Sequence, residues 1–119
     1  MMQLPESTLT VSADLIRAYA ELTQDFNPLH LDSEFAAKTP MGSVIAHGTM
    51  SIHLIWRSVA AAFGPEALAR GALEIRFVKP VRVGETLRAG GAQRADGEGW
   101  DVWVRGDDGQ DRIGGQLRL

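Results

Sequence analysis

Apolar and polar positions change period three times along the chain, and each change marks an element. Leu9 and Val11 alternate with Thr8, Thr10 and Ser12, which predicts a short first strand. From Ala13 to about Thr23 the apolar residues Leu15, Ile16, Tyr19 and Leu22 recur at helical spacing, with Ser12 placed to cap the helix and Asp14, Arg17 and Glu21 on its solvent side. Pro28 then interrupts the pattern. It forces Asn27 toward extended geometry, so Gln24 to Asp32 reads as a rigid turn. Ser33 to Lys38 reads as one or two helical turns and Thr39 to Ser43 as a loop.

The stretch from about Thr49 to Phe63 carries Met50, Ile52, Leu54, Ile55, Trp56, Val59, Ala60 and Phe63. So little polar face remains that this second helix must be buried on most sides. After Gly64-Pro65 the period becomes two, with Leu73, Ile75, Phe77, Val81 and Val83 at odd positions and Pro80 marking an edge or bend. Further strands are expected over Glu85 to Gln93, Trp100 to Arg105 and Arg112 to Leu119, with Asp96-Gly97 and Asp108-Gly109 as turn signals. Trp100 and Trp103 have opposite strand parity, so one is expected in the core and one at the surface. The order predicts one α+β domain over residues 1–119, an antiparallel sheet wrapped around a central apolar helix.

Composition narrows the function. With 12 Lys and Arg against 15 Asp and Glu, a net charge of -3 and the basic residues scattered, nucleic acid is not an expected partner. No segment is apolar and long enough to span a bilayer, the N-terminus lacks a signal-peptide pattern and there is no cysteine, so the cytoplasm is the expected compartment. No cofactor is called for. No metal site is expected either, since His47 and His53 are six apart on or near a helix and face different ways.

The candidate chemistry lies in Asp25-Phe26-Asn27-Pro28-Leu29-His30, a carboxylate and an imidazole five residues apart across a proline-stiffened turn. Such a pair can move a proton to and from water near neutral pH. A structural reading is open beside it, with Asp25 ending the first helix, Asn27-Pro28 making a turn and His30 packed beneath it. The second motif, Ile45-Ala46-His47-Gly48, stands just before the buried helix, where free N–H groups and the positive end of the helix dipole would face an anion or carbonyl oxygen.

Together with Leu31-Asp32, Ala36-Ala37, Phe77-Val78-Lys79-Pro80-Val81 and Gly84-Glu85, these motifs make the sequence resemble the MaoC-like, (R)-specific enoyl-CoA hydratase family. The resemblance implies a hotdog fold, a homodimer, and hydration of 2-enoyl thioesters carried by CoA or an acyl carrier protein, or the reverse dehydration. It places Asp25 and His30 as the catalytic pair and Gly48 as the backbone donor to the thioester carbonyl. Asn27 and His47 would orient the loop.

Two positions depart from the family pattern. Gln24 stands where the family usually has glycine, and Trp56 stands where many relatives have a small residue, often serine, beside the aspartate. If Trp56 and His53, one turn earlier, line the pocket, they would partly fill an acyl tunnel and restrict the substrate to short or unusual acyl groups; packing in the buried helix is the other reading of both. A hotdog acyl-CoA thioesterase and a non-catalytic acyl-thioester binding subunit are the rival functions, although the central helix lacks the acid that many such thioesterases carry.

Overall fold

A computed structural model describes residues 2–119. Strand β1 (Gln3–Thr10) leads into helix α1 (Ala13–Thr23), the short helices α2 (Pro28–Leu31) and α3 (Ser33–Ala37), and the long helix α4 (Gly48–Phe63). Helix α5 (Ala67–Arg70) then precedes strands β2 (Ala72–Phe77), β3 (Thr86–Gln93), β4 (Trp100–Arg105) and β5 (Asp111–Arg118). The five strands form one antiparallel sheet in the order β1-β3-β4-β5-β2.

Helix α4 packs on this sheet through β1, β3 and β4. Met50, Leu54, Ile55 and Val59 of the helix share a core with Leu87, Ala89, Val102, Val104 and Ile113 of the strands. Two buried hydroxyls join the layers, Ser7 Oγ lying 2.9 Å from Ser58 Oγ. Each satisfies the other, so neither loses its hydrogen bonding on leaving water. This is the α+β hotdog arrangement, with the sheet laid against an apolar helix.

Helix α1 has the expected limits, and Ser12 Oγ accepts the Leu15 N–H at 3.0 Å. Trp100 is buried, whereas Trp103 is half-buried with the Arg105 guanidinium 4.2 Å from its ring centre. Several details differ from expectation. Strand β1 starts earlier, at Gln3, and contains Pro5; it is an edge strand whose register shifts between Leu4 and Ser7, which accommodates a residue with no N–H to donate.

The segment read as a turn holds helix α2, because Asn27 caps it and Pro28 supplies a suitable first residue. Strand β2 ends at Phe77 instead of continuing toward Val83. Helix α4 is buried on one side only: His53 and Arg57 are exposed and Trp56 is half-buried within the single chain. Among the described residues no helix is long and apolar enough to cross a membrane.

Candidate active site

The turn after α1 begins at Gln24, whose backbone is left-handed at φ 56° and ψ 36°. Among the described residues it is the sole non-glycine at positive φ. This reverses the chain and delivers Asp25, whose N–H donates to the Ala20 carbonyl at 3.0 Å. The Asp25 carboxylate accepts the Asn27 N–H at 3.3 Å, and Asn27 Oδ1 in turn accepts the Leu29 N–H at 3.0 Å. Asn27 therefore shapes the turn that separates Asp25 from His30.

His30 is half-buried, and its Nδ1 lies 2.8 Å from the Ile45 carbonyl oxygen. A carbonyl can only accept, so Nδ1 carries the hydrogen and Nε2 presents a lone pair. The same logic fixes His47. Its Nε2 donates to the main-chain oxygen of Asp25 at 3.0 Å, which leaves Nδ1 as a buried acceptor with no hydrogen-bond partner. The His47 ring is 2% exposed and stacks on His30, with centroids 3.9 Å apart and planes 29° from parallel.

His47 is also the N-cap residue of α4, and its side chain makes no capping hydrogen bond. Gly48, the first residue of the helix, is exposed. A methyl group there would lie 2.6 Å from Cε1 of Phe77, so the glycine lets the Phe77 ring sit against the helix end. Tyr19 of α1 reaches the same turn and donates to Thr49 Oγ1 at 2.8 Å.

These groups share a cavity of about 500 Å³ whose lining includes Asp25, His30, His47, Gly48 and Ser51. Phe77, Val78, Lys79 and Arg112 line it as well. Its surface is a carboxylate, two imidazoles and a helix N-terminus set in mainly apolar walls, an arrangement suited to an apolar ligand with one polar reacting centre.

His53 and Trp56 are not among the residues that line this cavity. Trp56 packs toward Gly71, where an added methyl would meet its ring at 2.9 Å, and His53 is exposed with its ring 5.9 Å from Tyr19. The α4 side chains that do line the cavity are Thr49 and Ser51, the latter one turn in from Gly48 and 2% exposed. Ser51 and Ser58 are the two serines of this apolar helix, and sequence spacing could not say which of them the turn would cover.

Arg112 was not identified from the sequence. It is 7% exposed, and its guanidinium meets Glu85 at 2.8 Å and Asp108 at 3.1 Å. Burial acts to lower its pKa, but the bonds to Asp108 and Glu85 outweigh it and the net shift is upward. Asp108 is held below the ordinary carboxylate value, chiefly by the Gln110 N–H and then by Arg112. The guanidinium also donates to the Gln110 carbonyl oxygen at 3.0 Å, so it is held by three residues and acts as a strut at the cavity end. Its carbonyl oxygen accepts the Val78 N–H at 2.8 Å, which holds the segment after β2 against the cavity.

A family model described as a MaoC like domain matches residues 2–102. The 3-hydroxybutyryl-CoA dehydratase of Methylorubrum extorquens is 39% identical over 81 residues, 65% of this chain and 49% of that protein. The (R)-specific enoyl-CoA hydratase of Rhodospirillum rubrum is 33% identical over 84 residues, 67% of this chain and 56% of that protein. The chain therefore spans about half the length of the curated relatives it matches. Among solved structures, the (R)-hydratase from A. caviae involved in PHA biosynthesis superposes with a TM-score of 0.77 at 25% identity, covering 100% of this chain and 97% of that one.

Proposed function

Because the chain belongs to the MaoC-like domain family, we propose that it adds water across the double bond of 2-enoyl thioesters, or runs the reverse dehydration, with Asp25 and His30 as the acid and base. The observation that carries this reading is the meeting of the Asp25 carboxylate, the His30 imidazole and the uncapped N-terminus of α4 in one cavity. The two side chains offer a carboxylate and the Nε2 lone pair, so a water between them donates both its hydrogens and turns its own lone pairs toward the substrate.

Asp25 takes a proton from that water as its oxygen bonds to C3. The electron pair of the double bond moves toward the thioester, and negative charge grows on the carbonyl oxygen. The Gly48 N–H and the helix dipole stabilise that charge; one such donor is worth about 2.7–4 kcal/mol. The proton Asp25 has taken passes to His30 Nε2, whose Nδ1 stays on the Ile45 carbonyl, and Nε2 delivers it to C2, which returns both side chains to their starting forms. Positioned acid–base groups of this kind contribute roughly 10²–10⁴ in rate.

CoA or an acyl carrier protein carries the acyl group in this reading, with exposed Lys79 on the cavity lining toward the anionic carrier. The chain acts as a homodimer. Support comes from Phe77 and Val78, 60% and 49% exposed beside the open edge of β2, and from the uncovered side of α4. The test is the loss of enoyl-thioester absorbance with crotonyl-CoA. Turnover by the wild type and its near-complete loss in Asp25→Asn and His30→Ala are expected. Release of free thiol with the double bond retained would replace hydration by thioester hydrolysis, and binding with no product would leave a binding subunit.

A further inference from the structure

Asp25, His30 and His47 each offer a donor atom lying within 4.8 Å of the others. One is exposed, one half-buried and one buried, so the group runs from the protein interior to the cavity surface. The three side chains bring only lone pairs, since each imidazole has its hydrogen tied to a backbone carbonyl: His30 Nδ1 to Ile45 and His47 Nε2 to Asp25. Donation of the second ring N–H to a carbonyl is the pattern that fixes tautomer and orientation in metal-binding histidines. His47 Nδ1 is a buried lone pair that finds no hydrogen-bond partner among the described residues.

We propose that Asp25, His30 and His47 form a binding site for a divalent transition-metal ion, with Zn²⁺ the best match. Two imidazoles and a carboxylate suit Zn²⁺ and its neighbours, whereas Mg²⁺ and Ca²⁺ prefer oxygen ligands alone. Zinc bonded at about 2.0–2.1 Å sets such donors roughly 3.3 Å apart, so binding draws the three inward from their present separation of up to 4.8 Å. Asp25 can supply much of that movement, because it is exposed and, among the described residues, its carboxylate holds only the Asn27 N–H. The stacked rings must also tilt apart, since nearly parallel planes do not point two nitrogens at one ion. The cavity leaves room for a water or a ligand oxygen in the fourth position.

The ion takes the lone pairs that would otherwise hold the reacting water, so it competes with hydration; this consequence, unlike the binding itself, rests on the hydratase reading. Titration calorimetry of the full chain with ZnCl₂ tests the binding without reference to turnover, and visible absorption of Co²⁺ reports the ligand geometry. One ion per chain is expected, with affinity falling at least about tenfold in His30→Ala and in His47→Ala and unchanged in His53→Ala, whose ring lies outside the cluster. Circular dichroism shows whether His47→Ala folds; if it does not, half-buried His30 carries the test. Absence of saturable binding, or affinity unchanged in His30→Ala, overturns the proposal. An inactive protein that binds zinc at these residues would keep this site and remove the hydratase reading, and an active protein that binds none would do the reverse.

Discussion

Replacing Gly48 by alanine separates the role of the α4 N-terminus in binding from its role in folding. The added methyl would lie 2.6 Å and 2.9 Å from Cε1 and Cζ of Phe77, whereas carbon atoms settle at about 3.5–4.0 Å. The ring must therefore withdraw by roughly 1 Å. Phe77 is 60% exposed at the end of an edge strand, so nothing among the described residues of its own chain blocks that movement. Alanine also favours helix over glycine by up to about 1 kcal/mol. The two effects oppose each other, and the net change in stability should stay within about 1 kcal/mol, or roughly 5 °C in Tm.

The effect on turnover should be far larger. The methyl and the displaced ring crowd the N–H that faces the thioester oxygen, and loss of one such donor lowers kcat by about 10²–10³. Initial rates with crotonyl-CoA, measured beside thermal unfolding, check both numbers. Adding Phe77→Ala to Gly48→Ala should recover at least about tenfold of the loss if the ring is the obstruction. A Gly48→Ala protein within about threefold of the wild-type kcat/KM would refute the assignment of this N–H. A loss of rate matched by loss of folded protein would refute the claim that the ring yields cheaply.

Two further outcomes follow from the turn and from the ion cluster. Gln24 holds a left-handed backbone that costs an L-residue about 1–2 kcal/mol; glycine removes this strain but gives up unfolded-state entropy of about 0.5–1 kcal/mol and the Gln24 Nε2 bond to Glu21. Gln24→Gly should be as stable as the wild type or up to about 1 kcal/mol more so, and Gln24→Val about 1–2 kcal/mol less, as read from urea midpoints. Asp108 has its folded-state pKa depressed below the ordinary 3.8, so the stability it contributes is complete above that value and is lost as pH falls through the lower, folded one. The Tm difference between wild type and Asp108→Asn should be constant near neutral pH and close below about pH 3.8, and a gap that widens on acidification would contradict the shift.

Periodicity made the frame legible. The limits of α1, the apolar run of α4 and the strands β3 to β5 are local patterns, and each survived into the structure within a residue, whereas the alternation read through Val83 became strand only as far as Phe77. Pro5 sits inside a strand and Pro28, read as a turn, opens a helix, since an edge strand tolerates a missing N–H and a helix start welcomes one. Position 24 could be marked from the missing glycine, but only the backbone shows Gln24 bearing the left-handed geometry itself.

The sequence by itself determined which residues could do chemistry, because proton transfer needs particular side chains and the Asp25 to His30 spacing is set by a short, stiff turn. It could not decide which distant residues join them. His47 is buried beneath His30, Ser51 faces the cavity, Arg112 closes its end, and Trp56 turns away toward Gly71. Those placements depend on how the turn seats on α4 and how α4 lies on the sheet. That seating is fixed by packing among residues far apart in the chain, and nearest-neighbour patterns carry no record of it.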